Sequence, residues 1–176
     1  MDGGFELAQR PVAEMRQLRG PLSSAQPRVV SGTSAITEFQ PATNTYELEV
    51  TLVPDPSATA CGLNLCVGDG QKLVVGYDPK ASNLYLDRSQ CGFVGLSPSF
   101  SAVSAADVSP VGGEVKLRIF IDQSSVEVFA ADGRRVLTAQ IYPDPAGTGV
   151  EFFSNGGAST LRSLRAWPLA SIWNLD

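Results

Sequence analysis

Leu117-Arg118-Ile119-Phe120-Ile121-Asp122-Gln123-Ser124-Ser125-Val126-Glu127-Val128-Phe129, followed by Asp132-Gly133, is the stretch whose reading decides the fold. Leu117, Ile119 and Ile121 occupy alternate positions, and so do Val126 and Val128, the period of two that buries one face of a strand. Gln123-Ser124 is too short for anything but a tight turn between two such strands. Asp132-Gly133 supplies the residue pair that tolerates left-handed backbone in a hairpin, so a third strand follows over Arg135-Val136-Leu137-Thr138-Ala139-Gln140-Ile141-Tyr142. The stretch predicts an antiparallel meander.

Working outward, the same period recurs. Tyr46-Glu47-Leu48-Glu49-Val50-Thr51-Leu52 alternates apolar and polar residues. Leu73 to Tyr77 and Leu84 to Asp87 form two further runs around the turn-forming Asp78-Pro79-Lys80-Ala81-Ser82-Asn83. Val150 to Ser154 and Ser159 to Pro168 complete the series, with Asn155-Gly156-Gly157 between them. Short strands separated by Gly, Pro, Asp and Asn predict an all-β fold, a two-sheet antiparallel β-sandwich of the concanavalin A-like or jelly-roll type. No repeat of fixed period is present, which argues against a propeller or solenoid.

Residues 5–19 read differently. Val12, Met15 and Leu18 recur at helical spacing, Pro11 suits a first helical turn, and Gly20 suits a stop. The expectation is a short N-terminal helix or docking linker over 1–27 and a sandwich over 28–176.

The chain has 176 residues, so one domain of ~150 residues with an extension accounts for it. It contains no histidine, which excludes Ser-His-Asp and Cys-His catalysis and His-ligated metal. A formal net charge of -5, with Arg134-Arg135 the only adjacent basic pair, argues against nucleic acid as a partner. No apolar run approaches the ~20 residues that span a bilayer, so no membrane partner is expected. Met1-Asp2-Gly3-Gly4 lacks the basic and apolar regions of a signal peptide. Gly68-Asp69-Gly70-Gln71-Lys72 has neither the spacing of a phosphate loop nor that of a calcium loop. No cofactor and no metal is expected. Cys61, Cys66 and Cys91 are odd in number, which fits one bridge plus a free thiol or three buried thiols.

The polar residues that stand out lie at or within strands: Asp122, Glu127, and Arg88 beside Asp87. Two carboxylates near an arginine suit the hydroxyls of a sugar, because carboxylates accept and guanidinium donates in a fixed fork. They equally suit a salt-bridge cluster that pins neighbouring strands. Tyr77, Tyr85, Trp167 and Trp173 offer faces for sugar stacking or side chains for the core.

The meander segment, taken with Tyr77-Asp78-Pro79, Leu86-Asp87-Arg88-Ser89 and the ending Trp167-Pro168-Leu169-Ala170-Ser171-Ile172-Trp173, resembles the C-terminal β-sandwich module of family 32 glycoside hydrolases, the invertases, levanases and inulinases. Gln9-Arg10-Pro11-Val12 through Leu18-Arg19 is similar to the linker that joins the sandwich to the catalytic propeller of that family. The resemblance implies a parent enzyme that is a retaining β-fructosidase, secreted, with its catalytic carboxylates on a five-bladed propeller. The family's Asn-Asp-Pro-Asn-Gly, Arg-Asp-Pro and Glu-Cys motifs are absent here, and Asp78-Pro79 and Asp144-Pro145 lack their flanking residues. No catalytic residue is therefore expected in this chain. Two roles follow from the resemblance: an accessory module that stabilises the propeller and its assembly, or a stand-alone module that binds fructan. Its partners would be the propeller, a fructan or fructose-containing oligosaccharide, and a second copy through an exposed apolar patch. Arg88, Asp122 and Glu127 are the carbohydrate-binding candidates carried over onto the Asp-Arg-Ser and Ser-Val-Glu-Val-Phe segments. Cys91 stands where a small polar residue is expected, a departure in that loop.

Overall fold

Eleven antiparallel strands make up the computed structural model, which describes residues 5–95, 97 and 102–174. In chain order they are β1 (Ser23–Ala25), β2 (Arg28–Ala35), β3 (Tyr46–Val53), β4 (Ala60–Gly68), β5 (Gln71–Asp78), β6 (Asn83–Gln90), β7 (Val103–Asp107), β8 (Val115–Asp122), β9 (Ser125–Ala130), β10 (Arg135–Gln140) and β11 (Gly149–Pro168). Residues 1–4, on which the signal-peptide reading rests, lie outside the described residues. No described helix is long and apolar enough to cross a membrane.

The predicted meander is present. β8 and β9 pair from Leu117↔Ala130 to Asp122↔Ser125 with Gln123-Ser124 as the turn, and β9 pairs with β10 from Ser125↔Gln140 to Ala130↔Arg135. Residues 131–134 connect that second hairpin, with φ +49° at Ala131, +58° at Asp132 and +86° at Gly133. At Asp78 the carboxylate accepts the Lys80 and Ala81 amides at 2.8 and 3.1 Å, the side-chain-stabilised turn that the sequence implied between β5 and β6.

Neighbours run β10-β9-β8-β3-β11-β4-β5-β6-β7, and β1 and β2 also pair with β11. The two layers of the sandwich arise because β11 belongs to both. Gly149 to Asn155 pairs with β4, and Thr160 to Pro168 pairs with β3. The sequence reads as two strands with Asn155-Gly156-Gly157 between them; the structure carries one bent strand, Gly149–Pro168, through it. The reason lies in the two buried serines that bracket the bend. Ser154 Oγ lies 2.8 Å from both the Gly157 carbonyl and Ser159 Oγ, and accepts the Ser159 amide at 3.1 Å. These bonds satisfy the backbone where the ladder to β2 slips.

Leu48, Val50, Leu117, Ile119, Ile121, Val126 and Val128 of one layer face Leu63, Leu65, Leu73, Val75, Leu84, Leu86 and Phe152 of the other in a single core. Each such side chain contributes about 1.5–3 kcal/mol on leaving water. On the open side, β10 lies beside β7 and β6, and Arg135 Nε donates to the Asp107 carbonyl at 3.2 Å, so the sandwich is nearly closed into a barrel. Cys61, Cys66 and Cys91 are all free and buried in this core.

The N-terminal segment folds across the outer face of the β3–β8–β9 layer. Ala13–Leu18 forms a six-residue 3-10 turn, not an α-helix, as suits a piece too short to repay helix nucleation. Arg19 then bridges to Leu169, the Gly20 amide donates to the Pro168 carbonyl at 2.8 Å, and the Ala170 amide donates to Leu18 at 2.8 Å. Upstream, the Gln9 amide donates to the Gly133 carbonyl at 2.8 Å. A Cβ at Gly133 would lie 2.0 Å from the Gln9 carbonyl oxygen, so this hairpin tip admits the linker only as glycine.

Candidate functional site

The face under the N-terminal segment carries the polar side chains of β3, β8, β9 and the second half of β11. Alternation places Glu47, Glu49, Arg118, Phe120, Arg165 and Trp167 there, each opposite another across the ladders: Glu49↔Arg118, Glu47↔Phe120, Glu49↔Arg165 and Glu47↔Trp167. Glu47 is 0% exposed although it points away from the core. Arg19 covers it, donating from Nε to Glu47 Oε2 at 2.8 Å and from Nη2 to Oε1 at 2.5 Å; Arg118 Nε donates to Oε1 at 2.6 Å. Arg19 also reaches Glu49 at 2.9 Å, and Arg165 holds the other Glu49 oxygen at 3.0 Å. The Arg19 guanidinium lies 3.7 Å above the Trp167 ring and that of Arg165 lies 4.7 Å from it. Burial alone would push the Glu47 carboxyl up, but the hydrogen bonds from Arg19 and Arg118 outweigh it and hold the group below the ordinary glutamate value.

The 3-10 turn divides this face into two grooves. One, of about 620 Å³, is lined by Asp122 and Glu127 together with Phe120, Met15 and Trp173. Phe120 pairs with Glu127 and Asp122 with Ser125, and Phe120 and Asp122 are two residues apart on β8, so the two carboxylates share a face. Asp122 Oδ1 accepts the Gln123 amide at 2.7 Å and so also builds the β8–β9 turn. Glu127 is exposed. Chemically this groove offers two hydrogen-bond acceptors beside the ring of Trp173, which is 87% exposed.

Arg88 does not join them. It continues the inward-facing series Leu84, Leu86, is 5% exposed, and donates from Nη1 to the Gln140 carbonyl at 3.2 Å. It lines a separate depression with Leu86, Ser104 and Thr138, where it ties β6 to the edge strand β10. Of the aromatic candidates, Tyr77 is core, with its hydroxyl donating to the Val108 carbonyl at 2.9 Å, and Trp167 lies beneath Arg19. Tyr85 lies half-buried against Gly76, where a Cβ would meet its ring at 2.1 Å.

Among the described residues no group of three or more Cys, Asp or Glu side chains is placed to hold a metal ion. The Arg19–Glu47–Arg118 cluster was not singled out from the sequence. Its signal was the Glu47 and Glu49 positions of β3, but their partners become visible only once the register with β8 and β11 is known.

Against known proteins, a sequence profile described as glycosyl hydrolases family 32 C terminal matches residues 14–168. The chain is 40% identical over 176 residues to a levanase of Bacillus sp. (strain L7), covering 98% of this chain and 19% of that protein. It is 35% identical over 172 residues to a levanase of Bacillus subtilis (strain 168), covering 97% of this chain and 25% of that protein. The crystal structure of exo-inulinase from Aspergillus awamori superposes with a TM-score of 0.82 at 26% identity, over 98% of this chain and 34% of that one. The chain thus spans a quarter or less of the length of either levanase.

Proposed function

The chain belongs to the family of C-terminal domains of family 32 glycosyl hydrolases, and from that premise we propose that it is the accessory, non-catalytic sandwich of a β-fructosidase, docked on and stabilising a catalytic domain that precedes it. One observation carries this reading. Nearly all of this chain aligns with each levanase, yet it accounts for only 19% and 25% of them, and the family's catalytic motifs are missing from these residues. The folded linker supports it: Gln9 to Gly20 is pinned along one face of the sandwich by backbone bonds at both ends, so a domain attached upstream is held close to that face. We place the parent outside the cell, in line with relatives such as the extracellular exo-inulinase of Aspergillus awamori.

Replacement of the C-terminal quarter of the Bacillus subtilis levanase by these 176 residues tests the reading. The chimera retains levan hydrolysis with a thermal half-life on the order of tenfold longer than the levanase truncated at the same point, equivalent to ~1.4 kcal/mol on the inactivation barrier. A half-life no longer than that of the truncated enzyme contradicts a stabilising role.

A further inference from the structure

The second groove on the covered face, of about 450 Å³, has a lining at odds with the molecule as a whole. The chain is acidic, with a net charge of -5, yet among the described residues Arg10, Arg16, Lys116, Arg118 and Arg165 line this groove against two carboxylates, Glu49 and Asp132. Some of these cations are already matched: Arg165 by Glu49 at 3.0 Å, Arg118 by Glu47 at 2.6 Å, and Lys116 by Glu114 at 3.6 Å. Among the described residues Arg10 donates to a carbonyl alone, that of Asp132, at 3.4 Å, and Arg16 has no carboxylate partner. Lys116 leaves 72% of its side chain exposed. Arg118 Nη2 is shut off from solvent and has no hydrogen-bond partner among the described residues, a charged donor that lacks an acceptor there. Phe129 and Pro11 give the groove apolar wall.

We infer that this groove is an anion site that takes the carboxylates of an acidic polypeptide segment belonging to the catalytic domain proposed above. Carboxylate is the chemistry that guanidinium forks bind in paired geometry, and the excess of cation over anion falls where the molecule is otherwise acidic. The occupant follows from where the chain enters. Gln9, Arg10 and Pro11 form one wall of the groove, the Gln9 amide donates to the Gly133 carbonyl of the same lining at 2.8 Å, and Glu6, three residues earlier, is tied to Arg135 at 2.9 Å, so the chain enters beside the groove. This identification of the occupant rests on the docking role proposed above; the groove's preference for anions does not.

The test uses the 176-residue chain with three probes: acetyl-pentaglutamate amide, acetyl-pentaglutamine amide and sodium sulfate, titrated by calorimetry at low salt. The expected result is saturable binding of pentaglutamate, no binding of pentaglutamine, and at least fivefold weaker pentaglutamate binding in Arg10→Gln/Arg16→Gln and in Lys116→Gln. These are exposed positions, and unchanged melting temperatures show that the variants remain folded. Loss of binding in 0.5 M NaCl accompanies it, because exposed charge pairs are screened. No pentaglutamate binding, or binding that all the variants retain, overturns the inference. Sulfate binding without pentaglutamate binding also overturns it, by making the groove a small-oxyanion site. Pentaglutamate binding in a chain that fails to stabilise the levanase chimera leaves the anion site standing and removes the docking role. The converse result removes the groove and leaves the docking role.

Discussion

Glu47→Gln lowers the free energy of unfolding by about 3 kcal/mol, read as a shift of the urea midpoint at unchanged m-value. Glu47 is fully buried, whereas its partners Arg19 and Arg118 keep 15% and 23% of their side chains exposed, so the two guanidiniums left behind regain only part of their hydration. That exposure puts the effect at the lower end of the range for breaking a buried pair. The neutral amide preserves the shape and isolates the charge. The same network makes stability depend on pH. The Glu47 carboxyl is held below its unfolded-state value, so its contribution is complete above the ordinary glutamate pKa of about 4.3 and is lost as pH falls through the lower folded value. The wild-type urea midpoint falls below that pH more steeply than the midpoint of Glu47→Gln. A loss under 1 kcal/mol, with parallel pH profiles, shows the cluster to be worth no more than a surface pair.

Trp167→Ala costs about 3–5 kcal/mol, the range for removing a large buried aromatic ring. Trp167 is 5% exposed on the face turned away from the main core, beneath the guanidinium of Arg19. Its removal takes the floor from under the residue that covers Glu47, so the two substitutions share a partner. Their double variant is less destabilised than the sum of the singles, and the coupling measures how far the linker clamp acts as one unit. Full additivity separates the ring from the ion-pair cluster and contradicts that description.

The β8–β9–β10 meander was legible because three things agree there: alternation, a two-residue turn at Gln123-Ser124, and left-handed backbone around Asp132-Gly133. β4 was not legible. Ala60-Cys61-Gly62-Leu63-Asn64-Leu65-Cys66-Val67-Gly68 lies between β11 and β5, and even Asn64 is covered, held by Glu151 at 3.0 Å, so small and apolar residues fill both faces and erase the period. The bend of β11 looked like a turn because Asn155-Gly156-Gly157 has turn composition; the serine bonds that keep the strand continuous are tertiary. Asp122 and Glu127 share a groove as alternation required. Arg88 was separable from them on the same rule, since Leu84, Leu86 and Arg88 occupy alternate positions and share the inward face. Glu47 is the opposite case. Alternation puts it on the outer face, and only the return of residues 18–20 to the sheet edge buries it.

The most direct test of the docking role is association of the isolated chain with a separately produced catalytic portion of the Bacillus subtilis levanase, followed by sedimentation velocity. The account predicts a one-to-one complex at micromolar concentration, no levan hydrolysis by the 176-residue chain alone, and a slower loss of activity in the catalytic portion when the chain is present. Two species that sediment independently at ~100 μM, well above the concentrations at which specific interfaces assemble, would contradict it.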